Sequence, residues 1–245
     1  MARQRTPVKP YRPDPDAWDR LTGLFDEWAE SGSGTGLEES HQHLGTAIAA
    51  ELPASSDDVL LDLSCGTGWF VRHLATETVP EGQVIGVDLS PKMIEAARES
   101  SENPDNVRFD IAQAEELPLD EGSVDHIVSL ESFYYFPDQV SAAHEMFRVL
   151  KPGGTFFVAM NFFLENAASH HWRDLLEVTM HCKGADQYNT LFRAAGFIDV
   201  GDQRVRYEGE VTEPDGKWMR NEEEAQTFFE EGALLISGRK PPEDM

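Results

Sequence analysis

A short apolar run that ends in a glycine turn constrains this chain more than any other feature. Leu60-Leu61-Asp62-Leu63 reads as a buried strand, and Ser64-Cys65-Gly66-Thr67-Gly68-Trp69-Phe70 carries it through a tight turn into a helix start. Glycines permit the turn and a close approach of backbone to ligand, while the free N–H groups of the helix start favour polar or anionic atoms. About twenty residues on, Gln83-Val84-Ile85-Gly86-Val87-Asp88 reads as a second strand closed by a carboxylate. An acid there suits a ribose diol. The dinucleotide fingerprint needs a third small residue where this chain has Val71, and Ser64 stands ahead of Gly66, so the nicotinamide and flavin readings are disfavoured.

The rest of the chain supplies a sheet around that turn. Strands are expected near 59–63, 83–87, 107–110, 124–130 and 154–161, with helices between them and two last strands at 196–200 and 233–238. Such alternation implies a mostly parallel sheet covered on both faces, with ligands beyond the carboxyl ends of its strands. Ahead of it, Asp14-Pro15-Asp16 reads as a cap for a helix bearing Trp18, Leu21, Leu24, Phe25 and Trp28. Residues 31–36, all Ser, Gly and Thr, read as a hinge to a second helix over about 37–52. After Met160 an inserted helical region is expected to about Phe192, broken at Lys183-Gly184.

A chain of 245 residues, 40% hydrophobic, can bury one core. The expected division is a disordered, proline-rich arm over 1–13 and one domain over 14–245. Within that domain, 14–52 is a helical cap, 58–161 the ligand-binding core and 162–245 the substrate-side insertion with the last strands. No apolar run reaches the roughly 18 residues of a membrane span, and no apolar stretch follows the basic amino terminus as a secretory signal requires. A cytoplasmic protein is expected. Cys65 and Cys182 are too few for a disulfide framework and lack metal-ligand spacing, so no metal is expected.

With 45 acids against 20 bases, the formal charge of -25 disfavours a nucleic-acid partner. Six lysines accompany fourteen arginines, and the acids are spread along the whole chain, as in proteins from halophilic cytoplasms.

The glycine turn is followed by Leu89-Ser90-Pro91-Lys92-Met93-Ile94, then Ala114-Glu115-Glu116-Leu117-Pro118, then Ser123-Val124-Asp125-His126-Ile127-Val128-Ser129, then Arg148-Val149-Leu150-Lys151-Pro152-Gly153-Gly154. In this order and spacing, over roughly residues 58–160, the chain resembles class I S-adenosylmethionine-dependent methyltransferases, similar to the ubiquinone and menaquinone biosynthesis (methyltransferase type 11) group. The resemblance implies a Rossmann-like α/β fold with seven strands in order 3-2-1-4-5-7-6, the last antiparallel, helices on both faces and a helical cap. It also implies S-adenosylmethionine as cofactor, S-adenosylhomocysteine as product and a small-molecule acceptor.

Carried onto this chain, the resemblance gives Asp62, Ser64, Cys65, Gly66 and Gly68 to the cofactor turn and Asp88 to the ribose. Leu89 and Met93 flank the adenine. Gln113 stands where the family often has aspartate and accepts from the adenine amino group through its amide oxygen, beside Ala114 and Glu115. The Leu130 backbone, flanked by Ser129 and Glu131, faces the cofactor's ammonium group. Ser64 is expected at negative φ, because positive φ would cost a serine roughly 1–3 kcal/mol.

Methyl transfer is an in-line displacement, so proximity, alignment and exclusion of water dominate and a dedicated base is optional. His41, Tyr135 and His170 are the catalytic candidates; Trp28, Phe133, Tyr134, Asn161, His171 and Trp172 are substrate-facing ones. The helix with Trp28, the 31–36 hinge and His41 are expected to form a lid. Aminopropyl transfer from a related donor and cofactor-dependent regulation without turnover remain alternatives, since fold does not assign activity.

The charge generates a first prediction. At about 1 M salt the Debye length falls to about 3 Å, relieving repulsion among the acids. Thermal melting in potassium chloride is expected to rise steadily from tens of millimolar to molar salt, and a flat or falling profile would refute halophilic adaptation.

Overall fold

The apolar periodicity of the strands resolves into two cores on opposite faces of one sheet. The computed structural model describes residues 14–209, 211 and 213–244; the arm expected over 1–13 lies outside the described residues. The strands are β1 (Val59–Leu63), β2 (Gln83–Asp88), β3 (Val107–Ile111), β4 (Val124–Leu130), β5 (Leu150–Met160), β6 (Ile198–Val205) and β7 (Ala233–Arg239). They pair in the order β3-β2-β1-β4-β5-β7-β6, with β7 antiparallel to both neighbours and β1, β2, β3, β4 and β5 parallel, as the resemblance implied. The helices are α1 (Ala17–Glu30), α2 (Ser33–Glu51), α3 (Trp69–His73), α4 (Pro91–Glu99), α5 (Gln139–Val149), α6 (Ala185–Ala194) and α7 (Glu222–Glu231). Among the described residues, no helix is long and apolar enough to cross a membrane.

Successive side chains of a strand point to opposite faces, and the two cores follow that rule. Leu61, Leu63, Phe156 and Val158 join α5 and α6 through Met146 and Phe192. Leu60, Phe157 and Ala159 join α2, α3 and α4 through Leu44, Phe70 and Ile94. The central strands are therefore buried on both sides, whereas edge strand β3 leaves Ile111 half exposed.

Three expectations are corrected. The hinge expected over 31–36 contracts to Ser31 and Gly32: α2 begins at Ser33, and Gly32 at φ 76 makes the turn alone. One left-handed glycine suffices to reverse the chain, so the next residues are free to join the helix. The region after Met160 is not one helical insertion; 3₁₀ turns over Ala167–Asp174 lead through extended chain to α6. Helix α7, absent from the sequence reading, is capped by Asn221, whose Oδ1 accepts from the Glu224 N–H at 2.9 Å.

The third correction concerns the glycine turn. Ser64 sits at φ 68, not at negative φ. The Ser64 and Cys65 N–H groups both donate to the Val87 carbonyl, at 2.7 and 3.0 Å. Two successive donors reach one acceptor only if the chain curls sharply, and the curl takes Ser64 into the left-handed region. Ser64→Gly is expected to relieve that strain and, after allowance for glycine's greater unfolded-state entropy, to stabilise by about 1 kcal/mol. Melting should rise by roughly 2–4 °C; an unchanged or lower midpoint would show that the turn carries no such strain.

Candidate active site

A cavity of about 970 Å³ opens where β1 parts from its neighbours β2 and β4, the topological switch point of the sheet. Helices α1 and α2 cover it through Trp18, Phe25, Trp28 and His41. Ligand pockets commonly run about 300–1,000 Å³, so a nucleoside-sized molecule and a second small one fit together.

One half of the cavity is built by the strand ends. Asp62, Ser64, Cys65, Gly66, Asp88, Leu89, Met93, Gln113, Ala114, Glu115 and Leu130 all line it. Gly68 does not: it lies behind the turn at φ 80, where a Cβ would meet the Phe109 ring at 2.7 Å, so its smallness serves packing. Cys65 presents backbone to the cavity while its thiol packs inward, since a Cβ on Gly86 would lie 2.8 Å from Sγ.

The acids divide by what already holds them. Asp88 accepts from the Gly66 N–H through one oxygen and from the Ser90 N–H through the other, both at 2.9 Å. Burial raises its pKa while these bonds pull it down. Each oxygen keeps a lone pair for a ligand. Glu115 is engaged on both oxygens, by Trp18 Nε1 at 3.3 Å and the Asp138 N–H at 3.0 Å, so it ties the cover to the floor. Asp62 is different. It is only 2% exposed, and among the described residues no donor reaches its carboxylate. Burial, and then the neighbouring Asp88, push its pKa to about 8.

The other half is an aromatic belt. Ring contacts run from Tyr134 to Tyr135 at 4.5 Å, to Phe25 at 5.3 Å, to Trp28 at 5.5 Å and to Trp218 at 6.2 Å. They continue to Trp172 at 5.5 Å, to Phe228 at 5.8 Å and to Tyr207 at 5.2 Å. Polar bonds close the circuit: Tyr207 Oη donates to Asn161 Oδ1 at 2.7 Å, the Asn161 N–H to Glu131, and Tyr134 Oη to Glu131 at 3.0 Å. All ten residues line the cavity. Glu131 stands at φ 51, unusual for a side chain of its size, and burial raises its pKa to about 8. His41 lines the same space, with its pKa lowered to about 4 by burial and then by His43. It is therefore neutral near pH 7, and the burial that keeps it so makes it a weak base.

Trp28, His41, Tyr134, Tyr135, Asn161 and Trp172 are thus brought together. His170, His171 and Phe133 are not. His170 Nε2 pairs with the Leu164 carbonyl and His171 Nε2 with the Lys217 carbonyl, while Phe133 is fully buried against Phe192. Histidines in 3₁₀ turns find nearby carbonyls before they reach a cavity. Tyr135 lies in the belt, but burial raises its pKa, which makes it a poor base. The sequence reading overlooked Tyr207, Trp218 and Phe228 and treated Glu131 only as a strand end. Two signals were available: Pro214-Asp215-Gly216, whose Asp215 gathers the Lys217, Trp218 and Met219 N–H groups, and the Asn221 cap that starts the helix carrying Phe228.

With this geometry in view, residues 54–212 match the family model described as a methyltransferase domain. The demethylmenaquinone methyltransferase of Staphylococcus aureus is 28% identical over 193 residues, which span 69% of this chain and 78% of that protein. A chain from the Haloferax volcanii complex of the Trm112 methyltransferase activator with a methyltransferase is 33% identical, with a TM-score of 0.81 over 89% of this chain and 97% of that one. Phosphoethanolamine N-methyltransferase 2 of Haemonchus contortus, solved with S-adenosylhomocysteine, shares the fold at a TM-score of 0.63. It is 18% identical, over 81% of this chain and 52% of that one.

The residues present fit S-adenosylmethionine. A buried carboxylate without a donor suits an ammonium group, a strand-end acid with spare lone pairs suits a diol, and a Cβ added to Gly66 would meet nothing within 4 Å, leaving room for close approach. Asp62 also has a consequence without ligand. Its folded pKa of about 8 exceeds the ordinary aspartate value of 3.8, so the ligand-free protein loses stability as pH rises between those values. Asp62→Asn, which cannot ionise, is expected to melt several degrees above wild type at about pH 8 in high salt, the gap closing toward about pH 5. Its affinity for S-adenosylmethionine should fall. A gap independent of pH would show that Asp62 is not the group responsible.

Proposed function

This chain belongs to the methyltransferase-domain family and is an S-adenosylmethionine-dependent methyltransferase, and on that premise we propose that its acceptor is a small molecule enclosed by the aromatic belt. The observation that carries the reading is that the orphaned Asp62 and the belt share one cavity. Asp62 would hold the ammonium group, with the backbone of residues 64–66 and of Leu130 beside it. Asp88 would hold the ribose through its free lone pairs. Leu89, Met93, Gln113 and the Ala114 N–H would hold the adenine. Bound there, S-adenosylmethionine supplies a methyl group on a positively charged sulfur.

What the protein adds is placement and dryness. The belt and the cover exclude water, which strengthens the electrostatic interactions inside. The cover is held at the cofactor side, where Ser90 Oγ donates to Asp26 of α1 and Trp18 donates to Glu115. Closure of α1 and the start of α2 would thus follow occupancy of that side. His41 lines the acceptor space as a neutral polar contact, and the displacement itself needs placement rather than a dedicated base. The net charge of -25 and the enclosure of the cavity both favour a small acceptor over a nucleic acid.

Calorimetry in molar potassium chloride tests the assignment. S-adenosylmethionine and S-adenosylhomocysteine are expected to bind where NADH does not, and Asp88→Ala to weaken binding by about one to two orders of magnitude. Hydrogen exchange should show new protection over residues 24–44 when S-adenosylhomocysteine is added. An unchanged affinity in Asp88→Ala would remove Asp88 from the site. Cofactor binding without label transfer to any component of a small-molecule pool would favour a regulatory protein.

A further inference from the structure

The ten residues of the belt hold one carboxylate, Glu131, and no base; Glu208, Glu213 and Asp215 also line the cavity but are exposed. Among the described residues that line the cavity, the one Lys or Arg is Arg206, which is exposed and donates to the Glu230 carbonyl at 3.0 Å. Both histidines that line it, His41 and His43, have pKa values lowered by burial and are neutral. Glu131 therefore faces aromatic rings and hydroxyls with no counter-charge. Its two hydrogen bonds, from Tyr134 and Asn161, come from neutral groups. Of the acids in the strand-end half, Asp88 and Glu115 are held by backbone and side-chain donors, and Asp62 lies on β1 beside Asp88. Glu131 is left to the belt.

We propose that the methyl acceptor is an amine with an apolar, ring-sized body, its nitrogen bound by Glu131 inside the aromatic belt. The inference rests on the methyltransferase reading and deepens it by naming the substrate class. Aromatic faces attract cations through the ring quadrupole, by roughly 0.5–2 kcal/mol for each well-placed ring, most where water is excluded. The same faces contribute the apolar contact that the body of the molecule needs. Trp218 already engages one cation from its own chain, Lys217 Nζ, at 5.0 Å from the ring centroid. An anion would meet the opposite: a carboxyl group that can only add negative charge, and no cation to offset its desolvation. Alkylation of an amine leaves nitrogen positively charged, so the environment that admits the acceptor also tolerates the product. An amine that enters as ammonium would first pass a proton to the Glu131 carboxylate; its freed lone pair would then form the N–C bond as the S–C bond breaks, leaving sulfur neutral in S-adenosylhomocysteine.

Three probes with one hydrocarbon body separate charge from shape: phenethylamine, phenethyl alcohol and hydrocinnamate. Each is titrated by calorimetry into protein saturated with S-adenosylhomocysteine in molar potassium chloride, which screens the surface charge. Phenethylamine is expected to bind at least about tenfold more tightly than the alcohol, with hydrocinnamate weakest. In Glu131→Gln the amine should fall to the level of the alcohol, while affinity for S-adenosylhomocysteine, which reports a folded site, stays within about twofold. Equal binding of the three, preference for hydrocinnamate, or no binding of any of them to protein that binds S-adenosylhomocysteine overturns the proposal. So does an undiminished preference for the amine in Glu131→Gln. Failure of S-adenosylhomocysteine itself to bind wild type overturns the methyltransferase reading instead.

Discussion

The end of β2 clamps the turn after β1, and the rest of the site is hung on that clamp. The Val87 carbonyl takes the Ser64 and Cys65 N–H groups, and the next residue, Asp88, takes the N–H of Gly66. Three successive donors are thereby fixed by two successive residues of the neighbouring strand. Buried backbone groups left unpaired cost about 1–3 kcal/mol each, so the clamp is strongly preferred over a looser turn. It forces Ser64 to positive φ, sets Gly66 against the cavity and leaves Asp62 just beneath it without a partner. The strain at Ser64 is thus a consequence of satisfying hydrogen bonds elsewhere, as is common at functional sites.

Charge inside the cavity follows from the same economy. Asp62 and Glu131 both have pKa values raised to about 8, and in each case burial is the leading cause. Neither has a cation beside it. A protein that selects for stability alone replaces such groups, because an uncompensated buried charge is destabilising. Two in one cavity, one under the glycine turn and one in an aromatic belt, are what the proposed ammonium and amine groups would complete. The surface tells a separate story: its many acids are solvated and answer to ionic strength, whereas the buried ones are screened much less by salt.

The fold shows why the two halves differ in how they are made. The strand-end half, where the cofactor is proposed to sit, comes from the ends of β1, β2 and β4 and the turns that follow them, elements that pair side by side in the sheet. The belt draws on α1, the 3₁₀ turns after β4, the 3₁₀ stretch Ala167–Asp174, the chain between β6 and α7, and α7 itself. Phe25 and Trp28 join the Tyr134–Tyr135 rings to the Trp218 side only when α1 is laid across the sheet. That placement is held by Trp18 on Glu115 and Asp26 on Ser90.

By itself the sequence determined the order of strands along the chain, the two-faced core and the strand-end half of the cavity. Those depend on local periodicity and on a turn whose residues are adjacent: Leu60 to Leu63 alternate between cores, and Asp62, Gly66 and Asp88 stand at a fixed spacing imposed by one β-α-β unit. Only the tertiary structure decided the belt. Tyr207, Trp218 and Phe228 carry no motif, and an aromatic residue in a sequence reads equally as core or as cavity wall. Whether His41 lines the space or His170 turns away is likewise fixed by where a helix and a loop come to rest, and that is set by packing between elements far apart in the chain. The backbone of Ser64 belongs to the same class: its φ is dictated by a carbonyl on another strand, a partner that no local rule supplies.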